Sequence, residues 1–385
     1  MDQNKQRKVC VFTMHPAKDL RVFNRQCCSL KKNGWDVTLI AISDRENYTE
    51  EGVKVICFKK WKTKWQRLKT IIRIAQEAYR QKADIYHFHD PDLLMPAVFL
   101  KFITKKPFIY DIHEYFDIIF SLKLPNIWVL RKPFALLVFL FETFNAKLIG
   151  NISAVYETHV NRFSRLGCRV IHTPNYASID NFVPIPVSDE EWNERHKKVI
   201  HIGTLDPSRG SFVLLDIVRE VKKQRPDIQF LITRRFLADY QEKVMLEKMA
   251  LPEYQDVVEF IPGVDGKKLS KVIRQAGVAL SLGQDTIVDQ TGVPTKLFEY
   301  MSQAVPILVS DLPHGRKYVR DEGCGFTIKP DDAKEFSDKI IYLVDNISVA
   351  KEMGSKGQKA FSERLNWSFV EKRLVAFYDL IMQDE

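Results

Sequence analysis

The sequence predicts an α/β protein made of two doubly wound domains. Short runs of β-branched and aromatic residues alternate with stretches of helical length, which is typical of parallel sheets covered by helices on both faces. This alternation begins again after a polar, proline-bearing stretch over 174–198. With 385 residues the chain is long enough for two such domains. We therefore expect two Rossmann-like sheets that face each other across a cleft.

Each predicted domain contains five or six strands. The first domain is expected over 1–180 and the second over 181–363, with the change of domain near 178–196. A last helix within 364–385 is expected to fold back over the first domain. The predicted strands are Val9–Thr13, Val37–Ile42, Val53–Phe58, Ile85–His89, Phe108–Ile112, Lys147–Ile152, Val199–Ile202, Ile228–Thr233, Val257–Ile261, Val278–Leu282 and Pro306–Ser310.

The composition excludes several classes of protein. Apolar residues make up 45% and charged residues 28%, which is ordinary for a globular chain and excludes disorder, collagen and coiled coil. The six cysteines show no CxxC pair and no zinc-like spacing, which favours a reducing cytosol. The longest apolar run, Phe134–Phe141, is far below the roughly 18 residues of a spanning helix. We expect a cytoplasmic protein, soluble or peripheral on the inner face of the membrane.

The net charge of +9 favours anionic partners such as nucleotides, nucleic acid or an acidic membrane face. Nucleic acid is disfavoured because no recognised nucleic-acid motif is present and the basic residues concentrate in one segment, 59–82. That segment contains Trp61 and Trp65, and Leu68, Ile72, Ala75 and Tyr79 continue one helical face. Two interpretations remain open: a membrane-surface helix, or a sheet-covering helix with a cationic outer side.

Ligands of doubly wound sheets bind at the carboxyl ends of the strands, so the residues after strands are the candidates. In the first domain His15, Asp19 and Arg21 follow the first strand, either as a wall of the acceptor site or as a loop in which Asp19 caps the next helix. His113 and Glu114 follow the fifth strand, where a histidine can bond a sugar hydroxyl or transfer a proton.

The fourth strand is followed by His89 and Asp90, then by Pro91 and Asp92. The two aspartates have the DxD spacing that can hold a divalent metal ion. We favour a helix start instead, because proline suits the first helical position and an aspartate suits the first turn.

In the second domain a small-residue loop runs from Gly203 to Gly210 between a strand and an apolar helix. Its backbone amides, with Thr204 and the cation of Arg209, form a plausible diphosphate cradle. Arg234 follows the next strand and is a second cation that could face phosphates, or else an exposed arginine.

The most informative stretch is 290–310. Gly292 and Pro294 break the chain, and Pro294 suits a first helical position. A helix is expected over Lys296–Ser302, with the amides of Thr295 and Lys296 pointing at an anion. Glu299 lies one turn further on the same side, where a carboxylate can accept two hydrogen bonds from a ribose diol.

Four stretches, HFHDPDLLMPAVFL, PFIYDIHEYF, GTLDPSRG and GVPTKLFEYMSQAVPILVSDLP, resemble glycosyltransferase family 4. The resemblance extends over nearly the whole chain. It implies the GT-B fold and retaining transfer of a sugar from a nucleotide-diphosphate donor. By the same resemblance Glu299 binds the ribose, Arg209 meets the diphosphate, His113 lies near the transferred sugar, and Gly292–Lys296 is the phosphate-binding turn.

The sequence departs from the family pattern at two positions. Thr291 stands where the family often has an earlier glutamate, and Thr204 stands where an arginine is frequent. The shorter P-x-K-x-x-E form, which a subset of the family has, is kept. The first departure puts in doubt how the hydroxyls of the donor sugar are held.

We expect no metal and no cofactor besides the nucleotide sugar, because Arg209 and Lys296 can neutralise the leaving diphosphate. The expected acceptor is a lipid-linked molecule or a polysaccharide. A sugar-nucleotide epimerase and a non-catalytic binding subunit remain alternatives. The expected site residues are His113, Arg209 and Lys296 for catalysis; Glu299, Gly203, Thr204, Arg234, Gly292, Pro294 and Thr295 for the donor; and His15, Asp19, Arg21, His89, Asp90 and Glu114 for the acceptor.

Overall fold

The computed structural model describes residues 6–122, 128–236, 238–264 and 266–383. The chain divides into two compact units. The first unit holds the chain up to Pro174 together with the segment that begins at Val370, and the second unit holds Asn175–Phe369. Of the described residues, none belongs to a helix that is both long and apolar enough to cross a membrane.

The described residues of the first unit form one eight-stranded sheet. Its order is β3-β4-β2-β1-β5-β6-β7-β8, and all neighbours are parallel except β3 and β4. The sheet is doubly wound, because the strand order reverses between β1 and β5. The strands are β1 Lys8–Pro16, β2 Asp36–Ile42, β3 Tyr48–Glu50, β4 Val53–Phe58, β5 Ile85–His89, β6 Phe108–Ile112, β7 Asn151–Ala154 and β8 Arg169–His172.

Helices cover this sheet, and the C-terminal helix packs in the same unit. The ring of Tyr378 packs edge-on against Trp35, and its hydroxyl lies 2.6 Å from Nδ1 of His87. A π-helical stretch over Leu20–Cys27 leads into the first helix. The helices are α1 Cys28–Lys32, α2 Lys64–Arg80, α3 Leu94–Thr104, α4 Phe116–Leu122, α5 Trp128–Ile149, α6 Glu157–Arg165 and, at the end of the chain, α16 Trp367–Gln383, of which the part from Val370 packs here.

The described part of the second unit forms a six-stranded parallel sheet of order β11-β10-β9-β12-β13-β14. This is the Rossmann order, and it reverses between β9 and β12. Its strands are β9 Lys198–His201, β10 Gln229–Arg234, β11 Val258–Pro262, β12 Val278–Ser281, β13 Ile307–Ser310 and β14 Gly325–Ile328. Its helices are α7 Asp189–Arg195, α8 Ser211–Gln224, α9 Asp239–Met249, α10 Gly266–Ile273, α11 Ile287–Thr291, α12 Lys296–Ser302, α13 Pro313–Gly315, α14 Ala333–Asp345 and α15 Ile347–Glu363.

Three of the strand predictions agree with the structure at both ends. Val53–Phe58, Ile85–His89 and Phe108–Ile112 are strands with the expected bounds. The strand expected over Lys147–Ile152 is wrong at its start, because α5 continues to Ile149. Gly150 ends that helix with a left-handed φ of 82°, and the strand begins only at Asn151.

Candidate functional site

In the first unit Asp90 lies where the strand order reverses, directly after β5. Its φ of 77° is a conformation that residues other than glycine seldom adopt. The carboxylate accepts hydrogen bonds from Oγ1 of Thr13 and from the amide of Met14, both at 2.9 Å, and lies 2.9 Å from Nε2 of His15. Asp90 therefore fixes the carboxyl end of β1, and its buried carboxylate is an anchor for that end of the strand.

Asp90 and His15 stabilise each other in their charged forms. Burial alone would raise the pKa of Asp90, but the hydrogen bond and charge of His15 outweigh it and hold the pKa well below its usual range. Burial likewise opposes the charge on His15, yet the carboxylate of Asp90 leaves the pKa of this histidine raised. The pair is thus a preformed, partly buried ion pair at the carboxyl edge of the sheet.

His113 completes this cluster. Its Nε2 lies 3.1 Å from Nε2 of His15, and its Nδ1 lies 3.4 Å from a carboxylate oxygen of Asp111. The ring of Phe116 stands edge-on to the imidazole, with ring centres 5.8 Å apart. These contacts orient a half-buried imidazole whose Nε2 side faces His15.

Arg21, expected in the acceptor wall, lies instead beneath the site. It is 6% exposed and forms a bidentate pair with Asp111, from Nε at 2.9 Å and from Nη2 at 2.8 Å. The same guanidinium donates to Thr173, and Gln26 and Ser153 also donate to the Asp111 carboxylate. The structure thus places Arg21 in the interior, where its guanidinium is bound by Asp111 and Thr173, and its expected contact with an acceptor stays a prediction.

His89, also expected on the acceptor side, lies in the interior of the first unit. It is fully buried, stacks on His87 at 5.0 Å, and burial lowers its pKa to about 4. Asp19 takes the structural role that the sequence left open: its Oδ1 accepts from the amides of Arg21 and Val22 and caps the π-helical stretch. Glu114 is partly exposed directly after His113.

Two groups in the first unit bring metal-ligating atoms together among the described residues. His15, Asp90 and His113 form one, and their donor atoms lie close enough to hold an ion. His87, His89 and Asp111 form the other, but its carboxylate already accepts bonds from Arg21, Gln26 and Ser153. Asp92 of the DxD spacing belongs to neither group and pairs with Arg67.

In the second unit three buried hydroxyls fix the loops after β9 and β12. Tyr300 accepts a hydrogen bond from the Ile202 amide at 3.0 Å and donates to the Leu280 carbonyl at 3.1 Å. Thr233 bonds both the amide and the carbonyl of Gly203, each at 2.9 Å. Ser310 bonds both backbone groups of Gly283 in the same way. The edge where the strand order reverses is therefore rigidly held.

Lys296 approaches the loop after β9 closely. A side-chain carbon added to Gly203 would stand 3.2 Å from the Lys296 ammonium, and Gly203 has a φ of 123°. The backbone conformation favours glycine here, and the absence of a side chain leaves room for the Lys296 ammonium. Burial, followed by repulsion from Arg209, lowers the pKa of Lys296 to about 8. The negative charge of an anion bound at this loop would raise the pKa of Lys296 again and so offset both effects.

The rest of the loop also carries groups that suit an anion. Arg209 is exposed, Thr204 is partly exposed, and α8 begins two residues after Arg209. The φ of Gly210 is 78°, and an added side-chain carbon would stand 3.0 Å from Leu282. The fourteen-residue α8 directs the positive end of its dipole toward this loop.

Glu299 is partly exposed on α12, one turn from its start. The helix has the expected bounds, but Pro294 does not occupy its first position, since Thr295 is the N-cap. Because α12 has only seven residues, its dipole is small and the charge of Lys296 matters more. Gly292 ends α11, and the His314 ring lies against it, with a pKa that burial lowers to about 4.

Arg234 is not directed at the Gly203 loop. It forms an ion pair with Glu242 at 2.6 Å, and both line a cavity of about 380 Å³ beyond β10 and β11. The supporting residues Thr233, Tyr300, Ser310 and His314 were not found from the sequence. Thr233 and Ser310 are polar residues at strand ends, a signal too common to single them out, and Tyr300 and His314 lie on the short helices α12 and α13 with no local signal.

The comparisons with known proteins agree with this geometry. Residues 8–126 match the model described as "Glycosyl transferase 4-like", and residues 187–360 match "Glycosyl transferases group 1". The phosphatidyl-myo-inositol mannosyltransferase of Mycobacterium leprae is 23% identical over 303 residues, 77% of this chain and 74% of that protein.

Two solved structures share the fold over nearly the whole chain. Anabaena Alr3699/HepE in complex with UDP matches with a TM-score of 0.73 at 13% identity, covering 97% of this chain and 100% of that one. Sucrose-phosphate synthase from Thermosynechococcus elongatus matches with a TM-score of 0.69 at 14% identity, covering 99% and 100%. The chain has the GT-B fold. It belongs to the GT4-type glycosyltransferases, which use nucleotide-sugar donors.

Proposed function

We propose that this glycosyltransferase moves a sugar, with retention of configuration and without a metal ion, from a nucleotide-diphosphate donor to a hydroxyl of a lipid-linked acceptor. The observation that carries the proposal is the Lys296 ammonium held against the Gly203 loop with a depressed pKa. Lys296 is partly exposed, and burial and the charge of Arg209 outweigh Glu299 and Asp289 in their effect on its pKa, so a bound anion would stabilise its charged form.

The second unit binds the donor. Lys296, Arg209 and the α8 end neutralise the charge that develops on the leaving diphosphate. Glu299 accepts hydrogen bonds from the ribose hydroxyls. Because these cations are part of the protein, no divalent ion is needed to assist the leaving group.

The first unit binds the acceptor. As the bond between the anomeric carbon and the diphosphate breaks, its electron pair stays on the diphosphate oxygen. The acceptor oxygen bonds to the anomeric carbon on the same face, and its proton passes to that diphosphate oxygen. His113, oriented by His15 and Asp111, positions the sugar.

A lipid-linked acceptor is supported by two observations. The mycobacterial relatives are named for a phosphatidyl-inositol acceptor. In this chain α2 exposes Trp65 by 77% and Leu68 and Ile72 by 48% each, among basic residues. An amphipathic basic helix of this kind suits the anionic inner face of a cytoplasmic membrane.

A thermal-shift series with UDP-, GDP- and ADP-sugars, each with EDTA or with Mn²⁺, tests the proposal. One donor should raise the melting temperature, since a ligand that binds only the folded state stabilises it. The shift and the transfer activity should be the same with EDTA. Loss of either with EDTA would refute the metal-free mechanism, and no shift with any donor would refute the donor site.

A further inference from the structure

An apolar groove lies in the first unit, between α4 and α5. It has a volume of about 380 Å³. Phe120, Leu137, Val138 and Phe141 supply its apolar wall, and Pro91, Asp92 and Glu142 complete it. This volume is at the lower end of the roughly 300–1,000 Å³ of small-molecule sites.

The two carboxylates of the groove are not available to a polar ligand. Asp92 forms an ion pair with Arg67. Glu142 accepts from Arg162 at 3.0 Å and from the hydroxyl of Tyr110 at 3.1 Å. With both charges compensated, the remaining surface favours a hydrocarbon ligand.

A continuous row of aromatic rings joins the groove to His113. Phe116 stands edge-on to the imidazole at 5.8 Å, and Phe120, which lines the groove, follows at 6.0 Å from Phe116. The opposite side of the groove continues into the outer face of α5. There Leu137, Phe141 and Phe144 follow one another on one face, exposed by 64%, 39% and 65%.

We propose that this groove binds the hydrocarbon chain of the lipid-linked acceptor, so that its polar head lies at His113. The proposal rests on the proposed function and adds a site to it. The ring contacts connect the groove to the imidazole, and the exposed α5 face gives the chain a path from a membrane. A bilayer adsorbed on α2 alone would not require this groove.

The alkyl glucosides with six, eight and ten carbons, below their critical micelle concentrations, are suitable probes for calorimetry. Affinity in the intact protein should rise about two- to fourfold per methylene, since burial of one CH₂ contributes up to about 0.8 kcal/mol. Val138→Trp fills the groove with an apolar side chain and should abolish the dependence on chain length. Leu140→Trp is the matched control: Leu140 lies two residues further on α5, is 54% exposed and does not line the groove.

Photolabelling of the wild-type protein with a diazirine-bearing decyl glucoside keeps the test valid if Val138→Trp does not fold. Labels should fall on α4 and α5 around the groove. Labels elsewhere, affinity independent of chain length, or equal binding by the two tryptophan variants would overturn the proposal. The donor thermal shift is measured on the same samples. If alkyl glucosides bind as expected but no donor shifts the melting temperature, the proposed function is refuted and the assignment of the groove is not.

Discussion

Replacement of Lys296 by methionine is expected to stabilise the protein at neutral pH and to weaken donor binding. Methionine keeps most of the side chain's length and removes its charge. Burial and the charge of Arg209 lower the pKa of Lys296 from 10.5 to about 8. Since one pKa unit corresponds to about 1.4 kcal/mol, the charged lysine costs at most about 3.5 kcal/mol of folding free energy.

The sign of the pH dependence follows from the proton balance. Between pH 8 and 10.5 the unfolded chain holds the proton of Lys296 and the folded chain has released it. Stability therefore rises with pH over this window, and the cost is fully present below it. The gain in stability from Lys296→Met should be largest near pH 7 and should shrink above pH 8.

Donor binding should change in the opposite direction. A hydrogen bond to a charged group contributes about 1.5–3 kcal/mol, so the variant should bind the nucleoside diphosphate about 10- to 100-fold more weakly. Wild-type affinity should also fall as pH rises above about 8, where Lys296 loses its charge. The variant should lack this fall.

Urea unfolding and calorimetry at pH 7 and 9.5 measure both effects. The nucleoside diphosphate is whichever of UDP, GDP and ADP the wild-type protein binds best. Lys268→Met, at an exposed position of α10, is the matched control and should change neither quantity. Unchanged donor affinity in Lys296→Met would refute the reasoning. So would a gain in stability over wild type that is smaller at pH 7 than at pH 9.5.

Three further predictions concern the ribose, the loop anchors and the membrane face. Glu299→Gln should raise the dissociation constant of the donor about tenfold and remove the preference for ribose over 2′-deoxyribose, measured by competition calorimetry; a retained preference would contradict the ribose assignment. Tyr300→Phe should lower the free energy of unfolding by about 1–3 kcal/mol in urea titrations, because the buried amide of Ile202 loses its partner. A change below about 0.5 kcal/mol, the usual range of surface substitutions, would argue against this anchor. Trp65→Ser should reduce co-sedimentation with anionic vesicles, whereas Tyr240→Ser, 69% exposed in the second unit, should not; equal effects would count against the α2 face.

The sequence predicted the strands and the edge at which the candidate residues lie, because both depend on local pattern. β-branched and aromatic runs form buried parallel strands, and polar residues after them must emerge at the carboxyl edge. His15 and His113, 98 positions apart, come together for this reason. Lys296 reaches the Gly203 loop from the start of α12, and the sequence predicted only that Lys296 and Arg209 act on the same diphosphate.

Burial of individual polar residues could not be predicted. Arg21 follows a strand in the same way as His15, yet its partner Asp111 lies 90 positions away and no local signal reveals the pair. His89 ends a strand in which every residue is buried, so alternation gives no indication of its environment. In α2 the apolar positions form two faces, and the sequence could not tell that Ile71 and Ile74 face the core while Trp65 and Leu68 face outward.

Each unit uses the same device to hold its functional loops. Thr13 on β1 donates to Asp90 after the neighbouring β5, Thr233 on β10 bonds Gly203 after β9, and Ser310 on β13 bonds Gly283 after β12. In every case a buried hydroxyl on one strand fixes the loop that follows the adjacent strand. Groups on such loops are held in place before the ligand arrives, so less ordering free energy is lost on binding. The rigidity of the site therefore comes from the strands beneath it, and the exposed side chains above are left to determine which ligand binds.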